Sequence, residues 1–104
     1  MNNVKTIYPT HPGEIIKEEL SVRGISQKQF AEYSDLSYAM LNEILNSKRS
    51  LTAEIALVIE SALGISAELL INMQSSYNLQ IARQDKKINL RLNKIRKACV
   101  SFLS

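Results

Sequence analysis

Glycine and proline are scarce in this chain: 104 residues hold three glycines, two prolines and no tryptophan. Folds rich in tight turns depend on glycine and proline, so a loop-rich all-β architecture is not expected. The single cysteine, Cys99, excludes an intramolecular disulfide and suits a reducing, cytoplasmic setting. The N-terminus lacks the apolar core of a secretory signal, and no apolar run approaches the ~18 residues of a membrane span. One histidine stands far in sequence from the one cysteine, which is too little for a His/Cys metal cluster within one chain. Neither a glycine-rich phosphate loop nor a nucleophile elbow is present. Acidic pairs such as Glu18 and Glu19 fall on the expected wet side of a helix. The expectation is a protein without catalytic activity, metal or cofactor. What is present suffices for a core, since 45% of the residues are hydrophobic.

The net charge of +3 conceals an uneven distribution. Residues 1–82 carry six Lys/Arg against nine Asp/Glu, a net of −3. Residues 83–104 carry seven Lys/Arg against one Asp, a net of +6. The basic character therefore belongs to the tail, and a case for nucleic-acid binding has to rest on where individual charges sit.

Helix starts are legible along the chain. His11-Pro12-Gly13-Glu14 reads as a first turn: proline lacks the N–H that would go unpaired there, and Glu14 suits the positive end of the helix dipole. Ile15, Ile16 and Leu20 form its apolar stripe, and Gly24 stops it after Arg23. Ser26 and Gln29 have capping-box spacing for a short second helix, with Phe30 and Ala31 facing inward and an end near Asp35. Ser37 caps a third helix with Leu41, Ile44 and Leu45 on one face. Thr52 caps a fourth, with Ile55, Ile59, Ala62 and Leu63 inside and Gly64 closing it. Ser66 caps a fifth. No alternating run is long enough for a core strand. Residues 1–10 are set apart as an N-terminal arm, in which residues 3–8 read either as an edge strand or as a loose segment. Five helices of about 8–15 residues joined by two- to four-residue links place the chain in the all-α class.

Residues 26–49 read as a helix-turn-helix. Small Ala31 permits a close helix crossing. Asp35, four residues on, occupies a turn that needs left-handed backbone, for which Gly is best and Asn or Asp are tolerated. Leu36, Leu41 and Ile44 then point into a shared core. Such a unit lays its second helix in the DNA major groove with N-terminal residues nearest the base edges. Those residues are Ser37, Tyr38 and Ala39, with Asn42 one turn on. Serine bonds several base edges, Ala39 can touch a thymine methyl, and Asn42 can read adenine through N6 and N7. Gln27, at the start of the second helix, is placed to bond a phosphate, and Lys28, Lys48 and Arg49 are the nearest cations. Several of these residues also have a purely structural role open to them. Ser26, Ser37 and Thr52 are helix caps first. Asn46, Lys48 and Arg49 suit an ordinary helix end. Tyr38 can be a surface aromatic without a partner.

The stretch from His11-Pro12-Gly13-Glu14-Ile15 through Gly24-Ile25-Ser26-Gln27, Asn42-Glu43-Ile44-Leu45-Asn46-Ser47-Lys48-Arg49 and Leu51-Thr52-Ala53-Glu54 resembles the HigA-type antitoxins. These belong to the Xre/lambda-repressor-like helix-turn-helix family. Gly64-Ile65-Ser66-Ala67-Glu68 and Asn72-Met73-Gln74 extend the likeness, which covers about residues 10–82. The opening string together with NEI-x-N-x-KR is specific, whereas SQ-x-x-x-A marks only the broad family. The resemblance implies a five-helix lambda-repressor-like DNA-binding domain at residues 11–82, followed by an additional amphipathic helix. It implies a homodimer that binds a palindromic operator in its own promoter, represses the operon and neutralises a HigB-type mRNA-cleaving toxin. Carried over by position, Gln27, Ser37, Tyr38, Ala39, Asn42, Asn46, Lys48 and Arg49 would touch DNA. Two departures stand out. Asp35 occupies a place where glycine is usual. Around Ile71 the Trp that often precedes the Leu-Asn-Leu-Gln-like segment is missing, so packing of the fifth helix at the dimer interface should differ. Two other functions fit the same residues: a stand-alone Xre-type regulator with no toxin, and an interaction module that has lost DNA binding, which the acidity of residues 1–82 keeps open.

Residues 83–104 lie outside that core and read as a basic amphipathic helix. Ile81, Ile88, Ile95 and Phe102 recur every seven residues, Leu92 and Cys99 add a second row, and Asp85 interrupts the first turn. Four expectations fit such a segment: packing on its own domain or on a dimer mate, binding a toxin, touching the DNA backbone, or lying on a membrane surface. Cys99 on the stripe reads as a small buried hydrophobe.

Overall fold

The computed structural model of the chain describes residues 10–103. These form six helices and, among the described residues, no strand: α1 Pro12–Val22, α2 Gln27–Ser34, α3 Tyr38–Leu45, α4 Ala53–Leu63, α5 Ala67–Gln84 and α6 Lys86–Leu103. The expected arm at residues 1–10, with its undecided segment 3–8, lies outside the described residues except for Thr10.

The caps read from the sequence organise the first five helices. His11, Ser26, Ser37, Thr52 and Ser66 each accept a backbone N–H of the first turn, and Ser26 with Gln29 forms the full reciprocal box. The ends of α1, α2 and α3 share one device. The backbone turns left-handed at Gly24, Asp35 and Ser47, and the next residue donates its N–H back across the turn: Ile25 to Leu20 O, Leu36 to Ala31 O, and Lys48 to Glu43 O. Asp35, at φ 56°, takes the left-handed position expected of it. Ser47, at φ 64°, is a second such position that side-chain type did not announce.

The core gathers Ile16 and Leu20 of α1, Phe30 and Ala31 of α2, Leu41, Ile44 and Leu45 of α3, Leu51 of the following loop, Ile55, Ala56, Ile59 and Leu63 of α4, and Leu70 of α5. Leu36 packs against it from the turn. Ala62, expected inside, is exposed, and Ala56 is buried in its place. Ala62 lies three residues after Ile59 but on the far edge of the α4 stripe, which runs through residues 55, 56, 59 and 63. Two lengths also differ from expectation. The link from α3 to α4, residues 46–52, is longer than four residues, and α5 has 18 residues.

Two polar residues are buried with the core and act as fasteners. The His11 imidazole accepts the Gly13 N–H at Nδ1 (2.9 Å), its Nε2 lies 3.1 Å from the Arg49 carbonyl, and its ring meets Tyr77 edge-on at 4.9 Å. With Nδ1 accepting, the proton sits on Nε2 and is donated to Arg49 O. Gln74 of α5 accepts the Leu51 N–H at Oε1 (2.8 Å) and donates to Asn78. The loop leaving α3 is thus held from the N-terminal side by His11 and from the C-terminal side by Gln74.

Beyond Asn78 the chain leaves this body. Asp85 breaks the helix in an extended conformation, and its Oδ1 accepts the N–H groups of Lys87 and Ile88, starting α6 anew. Ile81 therefore belongs to α5, and the row on α6 begins at Ile88. Every residue from Lys86 to Phe102 is exposed, including Cys99. Packing of this helix on its own domain is corrected by that exposure. Burying α6 against the body would require the chain to double back at Asp85, and the backbone there instead carries it outward. The molecule measures 59 × 33 × 21 Å, with a radius of gyration of 17.9 Å against roughly 13 Å for a compact chain of this length.

Candidate nucleic-acid interface

The recognition unit is built from α2, the Asp35 turn and α3. Ala31 is buried beneath the crossing, and Leu41, Ile44 and Leu45 anchor the inner face of α3. That leaves Ser37, Tyr38 and Ala39 exposed at the N-terminal tip of α3, with Tyr38 52% accessible. The Ser37 hydroxyl is occupied with the Met40 N–H at 3.2 Å, so its capping role is present in the free protein.

Asn42 and Gln27 meet directly: Asn42 Nδ2 donates to Gln27 Oε1 at 2.8 Å. The two amides form one polar unit bridging α2 and α3. Gln27 thereby fixes the orientation of the Asn42 amide, and the outer edge of that amide is left to face a ligand. Lys28 is exposed one residue further along α2.

The far end of α3 carries the cations. Asn46 ends the helix and turns its Nδ2 to the Asn42 carbonyl, while its Oδ1 accepts from Lys17 of α1 at 3.2 Å. Lys48 and Arg49 follow and are exposed. Arg49 is not a bare cation, because its Nε donates to Glu43 Oε1 at 2.7 Å. Glu43 thereby holds the Arg49 side chain at the C-terminal end of α3. Burial lowers the His11 pKa below its ordinary 6.5, against the smaller opposing effects of its bond to the Arg49 carbonyl and of the nearby Glu14 carboxylate. At neutral pH the ring is uncharged and holds the backbone of Arg49 without adding a positive charge to the surface.

The structure links Gln27, Asn42 and Asn46 through hydrogen bonds, with Lys48 and Arg49 following Asn46 in the chain, Ser37, Tyr38 and Ala39 at the N-terminal tip of α3 and Lys28 on the adjoining helix. Lys17 joins these residues through Asn46 and was not anticipated. It lies nine residues before the motif, and only the tertiary approach of α1 to α3 reveals it. That approach is close: a Cβ on Gly13 would stand 1.9 Å from the Ile44 carbonyl oxygen. His11 was anticipated as part of a helix entry but not as a buried link to the loop.

With that geometry in view, comparison with known proteins is informative. A family model described as helix-turn-helix matches residues 17–70. Virulence-associated protein I of Dichelobacter nodosus is 40% identical over 78 residues, covering 74% of this chain and 72% of its own. Among solved structures, an addiction-module antidote protein of a HigA family from Coxiella burnetii superposes with a TM-score of 0.73 at 34% identity, over 85% of this chain and 95% of that one. The Pseudomonas aeruginosa antitoxin HigA, solved with the higBA promoter, has a TM-score of 0.67 at 33% identity, over 71% of this chain and 82% of that one.

Proposed function

We propose, from the premise that this chain belongs to the helix-turn-helix family, that it is the antitoxin and autorepressor of a toxin–antitoxin module. In this reading it acts as a homodimer on a palindromic operator, and it neutralises a HigB-type mRNA-cleaving toxin in the cytoplasm. The observation that carries the DNA-binding part is the Gln27–Asn42 amide pair at the exposed face of α3. A paired amide of this kind is presented in a fixed orientation to a base edge, and reading adenine requires such a donor and acceptor side by side. Ser37, Tyr38 and Ala39 lie nearest the bases. Gln27, Lys28, Asn46, Lys48 and Arg49 hold the sugar-phosphate backbone, aided by the free N–H groups at the start of α2. The likeness to antidote proteins supports the antitoxin part.

A mobility-shift assay on the chain's own upstream DNA tests the division of labour. Asn42→Ala should relax sequence preference, with a loss of about 1–3 kcal/mol against the cognate site only. Lys48→Ala should weaken binding to all sequences alike and reduce the log–log salt slope by about one. Equal loss of specificity from both variants would overturn the assignment. Co-purification with the product of the adjacent gene, followed by an RNA-cleavage assay with and without this chain, tests the toxin. If a gene for such a partner is absent, the stand-alone regulator takes precedence.

A further inference from the structure

The helix ahead of the motif, α1, carries a cation to the far end of α3. Gly13 lets the two helices touch at Ile44, and Lys17 lies one turn further along the same face of α1. Its Nζ donates to Asn46 Oδ1 at 3.2 Å, across 29 residues of sequence. Both side chains are exposed.

The cations near this surface are not equally available. Arg49 is paired with the Glu43 carboxylate and Arg23 with that of Glu19. Lys17 bonds a neutral amide instead, although Glu14 and Glu18 line the same groove. A charged acceptor makes a hydrogen bond roughly twice as strong as a neutral one, so a phosphate competes well for Lys17 and less well for Arg49. Nor does the bond to Asn46 have to break. An ammonium has three N–H donors, of which Asn46 takes one. The Asn46 amide has two, of which the Asn42 carbonyl takes one. The remaining donors of the two groups stand side by side at the surface.

We propose that Lys17 and Asn46 form a seat for one backbone phosphate, with Lys17 supplying the charge and Asn46 a second donor. The seat rests on the DNA-binding function proposed above and extends its footprint from the two-helix motif to α1. In that function the N-terminal tip of α3 is nearest the base edges, which turns its C-terminal end toward the phosphates at the groove wall. Glu14 and Glu18 bound the seat, so α1 takes a single phosphate and not a track of them. The contact carries no base information; it fixes how the body is held on the duplex. Lys17 also has a structural role open to it, because α3 has no basic residue in its own last turn and a cation favours that end of a helix.

Anisotropy titrations of the full chain separate the two roles. They use its own upstream DNA and a scrambled duplex, over a range of salt concentrations. Lys17→Gln should weaken binding to both duplexes alike and lower the log–log salt slope by about 0.9 for each bound chain. The ratio of native to variant affinity should therefore shrink by about 3.5-fold per bound chain between roughly 50 and 200 mM salt. Lys17→Arg keeps the charge and should keep the native slope. A purely structural Lys17 would move the thermal transition of Lys17→Gln and leave the slope in place. An unchanged slope in Lys17→Gln, or an equal fall in Lys17→Arg, overturns the seat while the DNA-binding reading stands. If the native chain shows no salt-dependent binding to either duplex, that reading falls and the seat with it.

Discussion

Ser47 and Asp35 are the two non-glycine residues with left-handed backbone among the described residues, and each closes a helix of the recognition unit. An L-residue pays roughly 1–2 kcal/mol to sit there, and glycine recovers most of that while losing about 0.5–1 kcal/mol of unfolded-chain entropy. Ser47→Gly and Asp35→Gly should therefore each stabilise the chain by about 0.5 kcal/mol, read as a higher urea midpoint at unchanged m-value. The two differ in how far sequence foretells them. Asp35 follows Ala31 at the spacing of a helix-turn-helix, so its turn can be placed from sequence. Ser47 sits among Asn46, Lys48 and Arg49, any of which reads as a helix end, and only the bond from Lys48 N–H to Glu43 O identifies the turning residue. The same holds for polar residues that bury themselves. His11 is visible as a cap, but its second bond reaches 38 residues along the chain to Arg49. Gln74 is one glutamine in an ordinary helical run until Leu51 comes to it.

On the scale of elements, α3 divides into a reading end and a holding end, and the two differ in charge. In the function proposed above, the holding end has an internal brake: Glu43, paired with Arg49 in the free protein, would compete with phosphate for it. Both partners are about half exposed, so this pair adds little to stability. Glu43→Gln should leave the melting temperature nearly unchanged and tighten binding to all DNA by roughly two- to fivefold at low salt, from the ~0.5–1 kcal/mol of an exposed pair. Mobility shifts on cognate and scrambled duplexes would check that the gain is uniform. The starts of α1 to α4, and the ends of α1, α2 and α4, are legible because caps and stops are local chemistry: Ser37, Thr52 and Gly64 act within one turn. The α5 boundary is not. Nothing in the residues around Gln84 ends a helix by propensity, and Asp85 breaks it by capping the helix that follows. A continuous heptad row drawn through Ile81 therefore crosses a joint in the backbone.

At the scale of the whole molecule, the loop after α3 is suspended between His11 and Gln74, and one of those supports titrates. The folded state holds His11 neutral, with its pKa lowered by burial, whereas the unfolded chain protonates it near 6.5. The stabilisation is complete above pH 6.5 and is lost as pH falls below 6.5 through the folded value. Protonation also removes the lone pair that accepts the Gly13 N–H. Urea midpoints measured from pH 7.5 down to 5 should fall for the native chain. They should fall less for His11→Asn, which can still cap α1 but does not titrate. A parallel decline in the two would remove His11 as the cause. The close approach at Gly13 has a consequence of another kind. Its missing side chain sets how deeply the recognition helix is seated against α1, since the Ile44 carbonyl occupies the space that a methyl group would need. The string His11-Pro12-Gly13-Glu14 is thus a gauge of height as well as a helix start. A descendant of this protein that loses glycine at position 13 must raise its third helix, and, in the function proposed above, would then meet the same duplex with its reading residues out of register with the bases.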